Sequence, residues 1–96
     1  MSKHNEQSLK EVLAEMLDAY KLRGRMEELK LMSSWGAIMG PMIQKRTVDI
    51  SIRNKILYVR LESAALREEL SYSKEKLIQR LNEEAGSEVV LQVVFI

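Results

Sequence analysis

Residues 47–61 read Thr47-Val48-Asp49-Ile50-Ser51-Ile52-Arg53-Asn54-Lys55-Ile56-Leu57-Tyr58-Val59-Arg60-Leu61, and the sheet of the protein can be predicted from them. On either side of Asn54-Lys55, apolar residues alternate with mostly polar ones, a pattern typical of half-buried strands. The apolar residues of this alternation are Val48, Ile50, Ile52, Leu57, Val59 and Leu61. Because only two residues separate the strands, the segment is predicted to form a β-hairpin.

A two-residue turn at Asn54-Lys55 also fixes the register of the hairpin. The predicted pairs are Arg53–Ile56, Ile52–Leu57, Ser51–Tyr58, Ile50–Val59, Asp49–Arg60 and Val48–Leu61. In this register the six alternating apolar residues share one face of the sheet, and Asp49 and Arg60 meet on the other.

Two helices are predicted before the hairpin. Ser8-Leu9-Lys10-Glu11 has the pattern of a capping box, so the first helix is expected to begin there and to end at Gly24. Its apolar stripe is Leu9, Val12, Leu13, Met16, Leu17 and Tyr20. A second helix is predicted over residues 26–39, before the break at Gly40-Pro41 and a short helical turn at 41–45. Its candidate buried residues are Met26, Leu29, Met32, Trp35, Ile38 and Met39.

One long helix and a final strand are predicted after the hairpin. Ser63 can cap the helix and Gly86 can end it. Its buried side is predicted to hold Leu66, Leu70, Leu77, Ile78, Leu81 and Ala85. Residues 89–96 are too apolar and β-branched for anything but a strand. The expected architecture is α+β in the order α-α-β-β-α-β, a three-stranded sheet with helices packed on one face.

The 96 residues suffice for one domain, expected over residues 8–96 behind a flexible polar tail, residues 1–7. The sequence has no cysteine, and its net charge is +1. It has neither a membrane-spanning apolar stretch nor the apolar centre of a signal peptide, so a cytoplasmic location is expected.

No catalytic arrangement is evident, and we expect neither an enzyme nor a cofactor or metal. The one histidine, His4, falls in the predicted tail. Adjacent carboxylates such as Glu27-Glu28 point about 100° apart on a helix and do not converge as ligands or as an acid–base pair. The glycines of residues 36–40 have neither the lysine of a phosphate-binding loop nor the spacing of a dinucleotide motif.

The basic residues in and around the hairpin are the best candidates for nucleic-acid contact. They are Lys45, Arg46, Arg53, Lys55 and Arg60, with Tyr58 as an aromatic ring that could stack on a base. Residues 31–62 carry five basic against two acidic side chains, a local excess of +3. On the other interpretation, Arg60 pairs with Asp49 and the lysines keep an exposed sheet soluble. Binding to DNA is therefore expected to be weak and sensitive to salt.

The last strand suggests a protein interface. If Val89, Leu91, Val93 and Phe95 face the core, then Val90, Val94 and Ile96 face outward and could contact a partner protein or form a homodimer. On the other interpretation, the first helix covers this face. Trp35 lies among methionines and is interpreted as a core residue in preference to an interface anchor.

A family resemblance is carried by Trp35, Gly40 and Thr47, which fit the signature Trp-x-x-x-x-Gly-x-x-x-x-x-x-Thr. This spacing resembles that of the DciA family of bacterial proteins. The resemblance continues in order through a hairpin ending Leu57-Tyr58-Val59, the helical segments 63–70 and 77–82, and a final strand. It covers about residues 8–96.

The resemblance implies a fold like a type II KH domain and a role in starting chromosome replication. Family members bind the replicative helicase DnaB, assist its loading, and bind single-stranded or forked DNA. The Gly-x-x-Gly loop of KH domains is absent, since the glycines here are Gly36 and Gly40, so ordinary RNA clamping is not expected. Larger members carry a basic or disordered extension, so a chain ending at Ile96 is expected to bind its partner differently or weakly.

Two functions follow as expectations. The first is a non-catalytic replication accessory protein that binds DnaB, single-stranded or forked DNA, or both, with the basic hairpin residues touching the DNA. The second is a protein-interaction or dimerisation module without significant nucleic-acid binding, favoured by the near-neutral charge and the apolar last strand.

Overall fold

A computed structural model describes residues 2–96, with side chains from Ser8 onward. The elements are α1 (Ser2–Ser33), α2 (Trp35–Met39), α3 (Pro41–Arg46), β1 (Thr47–Arg53), β2 (Ile56–Leu61), α4 (Ala64–Ser71), α5 (Lys74–Ala85) and β3 (Gln92–Phe95). The α+β class and the order of helices, hairpin, helices and final strand are confirmed. The expected flexible tail, residues 1–7, lies outside the part of the chain whose side chains are described.

The sheet has the strand order β1-β2-β3, with β2 in the centre. β1 and β2 are antiparallel, whereas β2 and β3 are parallel and are joined through α4 and α5. Asn54 and Lys55 have φ angles of 53° and 62°. Two consecutive positive φ angles are typical of a type I′ turn, whose twist matches that of the hairpin strands.

Five of the six predicted hairpin pairs are confirmed, from Arg53–Ile56 to Asp49–Arg60. The sixth is wrong: Thr47, rather than Val48, lies opposite Leu61, and the register shifts between Thr47 and Asp49. An extra residue in one strand forms a bulge and redirects the side chains next to it. Val48 is consequently 61% exposed instead of packed in the core.

The bulge lies beside Thr47, whose hydroxyl takes part in two hydrogen bonds. The indole nitrogen of buried Trp35 donates to Thr47 Oγ1 over 3.0 Å, and the same hydroxyl donates to the Ile43 carbonyl over 2.7 Å. The core tryptophan on α2, the last turn of α3 and the start of β1 are thereby joined. This contact explains why Thr47 takes the place that alternation assigned to Val48.

Gly40 makes the sharp passage from α2 to α3. Its φ of 93° lies in the region that favours glycine, and Pro41 then occupies the first position of α3. Trp35, Gly40 and Thr47 therefore all have structural roles.

Helix boundaries differ from the predictions at four points, one of which is that the helix predicted over residues 26–39 is divided at Ser34 between α1 and α2. α1 continues through both Ser8 and Gly24 to Ser33, so the predicted start and end of the first helix are wrong. One glycine costs a helix about 1 kcal/mol, which the good helix-forming residues around Gly24 offset. The predicted helix over residues 63–85 is likewise interrupted, between Ser71 and Lys74.

The core lies between the sheet and the helices on one of its faces. Its buried residues are Leu31, Trp35, Ile52, Leu57, Val59, Leu61, Leu77, Leu81, Val89, Val90 and Val93. The predicted buried side of α4 and α5 is confirmed, since its other members pack against this cluster. Met26 and Leu29, predicted to be buried, are 61% and 49% exposed.

Asn82 of α5 holds the segment that leads into β3. Its Oδ1 accepts the backbone N–H groups of Val89 (3.0 Å) and Val90 (2.9 Å), and its Nδ2 donates to the Val90 carbonyl (2.8 Å). The strand therefore begins at Gln92, later than predicted, and Val89 and Val90 are both buried. The predicted outward orientation of Val90 is wrong because alternation does not hold before the strand begins.

Replacing Thr47 with valine should destabilise the fold by about 1–3 kcal/mol, because the Trp35 N–H loses its acceptor at a part-buried site. Chemical denaturation followed by Trp35 fluorescence measures the change. Thr47→Ser keeps the hydroxyl and should lose less. Equal stability of Thr47→Val and the parent would contradict the role of this hydrogen bond.

Replacing Asn82 with alanine should cost about 2–4 kcal/mol, because three backbone groups beside Val89 and Val90 lose their partner. Gln79→Ala is the matched control on the same helix. Gln79 bonds only the exposed carboxylate of Glu83, so its loss should stay within about 0.5 kcal/mol. Thermal unfolding compares the two, and similar losses would argue against the assignment.

Candidate nucleic-acid interface

Among the described residues, the helices pack on one face of the sheet and leave its second face uncovered. This outer sheet face holds the side chains that alternate with the core positions of the three strands. They are Asp49, Ser51 and Arg53 of β1, Ile56, Tyr58 and Arg60 of β2, and Gln92 and Val94 of β3. Asp49, Arg53, Arg60 and Gln92 are exposed, and the others are half-buried.

Arg53 and Tyr58 meet on this face. Tyr58 pairs with Ser51, so Arg53 is its diagonal neighbour across the hairpin. The Arg53 guanidinium carbon lies 6.0 Å from the centre of the Tyr58 ring, at the outer limit of a cation–π contact. A half-buried ring beside an exposed cation offers a flat surface for a base next to a charge for a phosphate.

Arg60 lies on the same face, two residues along β2 from Tyr58. It is opposite Asp49 in the hairpin, yet their charged groups form no ion pair. Among the side chains described from Ser8 onward, the ion pairs within 4.0 Å are Arg25–Glu28 and Arg46–Glu62. The guanidinium of Arg60 is exposed and can contact an anion.

The remaining basic candidates lie at the two ends of the hairpin. Lys45 and Arg46 form the last turn of α3, and Arg46 contacts Glu62 over 3.3 Å. Lys55 lies in the turn at the other end, and its carbonyl accepts the backbone N–H of Leu91 over 2.8 Å. With about 3.3 Å per residue, the seven residues of β1 separate these ends by about 20 Å. The six predicted residues are therefore spread along the hairpin, with Tyr58 between its two ends.

The residues predicted for a partner interface are separated by the structure. Val94 is half-buried on the outer sheet face beside Tyr58. Ile96 is 49% exposed just beyond β3, and its N–H donates to the Val59 carbonyl over 2.9 Å. Val90 is fully buried and cannot contact a partner. Two of the three predicted residues remain accessible.

A second basic feature was missed in the sequence. Lys76 and Arg80 of α5 line an apolar cleft of about 260 Å³ together with Ile38, Met39 and Leu70. The spacing of four residues places both cations on one side of the helix. That spacing was the available signal, but it is equally typical of a solvated helix face.

Within the residues that the structure describes, no three His, Cys, Asp or Glu side chains lie close enough together to hold a metal ion. No described helix combines the length and the apolar composition needed to cross a membrane.

The fold and the open face are those of a small α+β binding domain, with arginines and a tyrosine displayed on a sheet. The family model described as "Dna[CI] antecedent, DciA" matches residues 8–95, nearly the whole chain. The chain therefore belongs to the DciA family, a family of DNA replication proteins associated with the DnaB helicase. None of the curated proteins compared with the chain matches it.

Proposed function

We propose that this protein is a non-catalytic accessory factor of DNA replication that binds single-stranded or forked DNA and associates with the replicative helicase DnaB. The observation that carries the DNA part of the proposal is the outer sheet face, where Arg53 contacts the Tyr58 ring and Arg60 has no ion-pair partner among the described side chains. Membership of the DciA family supports the helicase part. Such a factor would act in the cytoplasm.

The charge balance favours weak binding of the DNA backbone. Arg53 and Arg60 each offer a positive charge to a phosphate, and Tyr58 between them offers a stacking surface. Asp49 on the same face opposes a second phosphate contact beside Arg60. Because the binding is electrostatic, affinity would fall as the salt concentration rises. With so few cations it would be weak, and the protein would depend on the helicase to hold it at a fork.

A protein-interaction module without nucleic-acid binding is the competing function. Val94 and Ile96, which remain accessible at β3, favour it. The two functions differ in their response to DNA. Fluorescence anisotropy of labelled single-stranded and forked DNA, with and without the cognate DnaB, separates them. Absence of binding in both conditions, with the protein folded, would contradict the DNA proposal.

Replacing Arg53 and Arg60 together with alanine should weaken DNA binding at least about tenfold. The slope of log affinity against log salt concentration should fall by the amount expected for the loss of roughly two phosphate contacts. The matched control is Lys76→Ala with Arg80→Ala, which removes the same charge from α5, and it should change affinity less than about twofold. Anisotropy titrations at several salt concentrations measure both. Equal losses would show that net charge, not the outer sheet face, drives binding.

Replacing Tyr58 with leucine should weaken binding to single-stranded DNA about fivefold or more, because an apolar side chain fills the site but cannot stack on a base. Binding to duplex DNA, where bases are already stacked, should change less. Tyr72→Leu is the control, since Tyr72 is 79% exposed just after α4 and belongs to none of the strands. Indistinguishable effects of the two variants would refute the stacking role.

A further inference from the structure

The N-terminal half of α1 carries an apolar face that no described residue covers. We define the α1 stripe as Leu9, Val12, Leu13, Met16, Leu17 and Tyr20, which are between 49% and 75% exposed. At 100° per residue they occupy a sector of about 140° on one side of the helix. The molecule measures 66 × 21 × 21 Å, and α1, about 48 Å long, accounts for this elongation.

The charges around the stripe favour neither nucleic acid nor a strongly charged protein as its binding partner. Residues 8–24 carry three basic side chains (Lys10, Lys21, Arg23) and three acidic ones (Glu11, Glu15, Asp18), so this segment has no net charge. Glu11 and Asp18 lie on the side of the helix opposite the stripe. A partner would therefore be bound by apolar contact along a helix.

The stripe is symmetric about its own centre. Reversing the helix about the point between Ala14 and Glu15 exchanges Leu9 with Tyr20, Val12 with Leu17, and Leu13 with Met16. Every apolar position thus falls on another apolar position. A two-fold axis through this point, perpendicular to the helix, creates an interface in which the same surface serves both partners.

We propose that the occupant of the α1 stripe is a second copy of this chain, with the two α1 helices packed antiparallel. The six side chains present on the order of 600 Å² per copy, which approaches the roughly 800 Å² per partner of a standard interface. The acidic residues Glu11 and Asp18 stay on the outer side of each helix, so like charges do not meet. This surface differs from the one predicted at β3.

The antiparallel arrangement keeps the two globular bodies apart. Leu31, the core residue of α1, is about 25 Å from the axis along the helix, so its two copies are separated by about 50 Å. Both outer sheet faces remain accessible in this dimer. Dimerisation through α1 depends on neither DNA binding nor helicase binding.

The first test is the mass of the full chain in solution. Light scattering over about a hundredfold range of concentration should show a dimer that dissociates on dilution. Met16→Glu places a carboxylate near the axis in each copy and should weaken dimerisation at least about tenfold. Leu22→Glu, the same change at a 63% exposed residue on another side of α1, should leave it intact.

A second test establishes the orientation, using the absence of cysteine from the chain. An equal mixture of Leu9→Cys and Tyr20→Cys should form a mixed disulfide dimer under mild oxidation, because the two positions face each other. Each variant alone should cross-link poorly, since its own copies are about 16 Å apart along the helices.

Three results would overturn the proposal. The first is a monomer at every concentration, in which case a helix of a different protein would be the occupant. The second is a dimer unaffected by Met16→Glu. The third is efficient cross-linking of Leu9→Cys with itself, which would indicate parallel helices.

Discussion

The structure depends on the hydrogen bond from the Trp35 indole to the hydroxyl of Thr47, which in turn donates to the Ile43 carbonyl. A buried indole N–H needs an acceptor, and Thr47 is the residue that supplies it. The contact attaches α2 and α3 to the first strand and lies where the register shifts. The residues that mark the family in the sequence thus maintain the scaffold, whereas the proposed DNA contacts lie elsewhere on the sheet.

Local sequence patterns were sufficient to predict most of the hairpin register. They were insufficient for the pair at the start of β1, opposite Leu61. Alternation and a two-residue turn act between neighbours in sequence, so pairs from Arg53–Ile56 to Asp49–Arg60 could be predicted. Val48 could not, because Thr47 is held by a tryptophan twelve residues earlier. The orientation of Val90 was wrong for a related reason: its backbone is bound by Asn82, eight residues earlier on another element.

The candidate site was predictable to the extent that it follows from the hairpin. Register places Arg53, Tyr58 and Arg60 on the face opposite the core, and the open face brings the first two into contact. Whether Arg60 forms an ion pair with Asp49 depends on side-chain conformations that the pairing of the strands does not determine. The cleft beside Lys76 and Arg80 involves α2 as well as α5, so no single helix pattern could reveal it.

The α1 stripe shows the limit of hydrophobic periodicity as evidence for burial. Leu13 and Leu17 repeat at the same helical spacing as Leu77 and Leu81, yet only the latter two lie in the core. The core is completed by α1 residues from Leu31 onward, so the stripe contributes nothing to it. A helix segment extending from a small body is marginally stable alone in water, and an apolar face adds a further reason for it to be covered. The proposed contact with a second copy would account for both the composition of the stripe and its helical form.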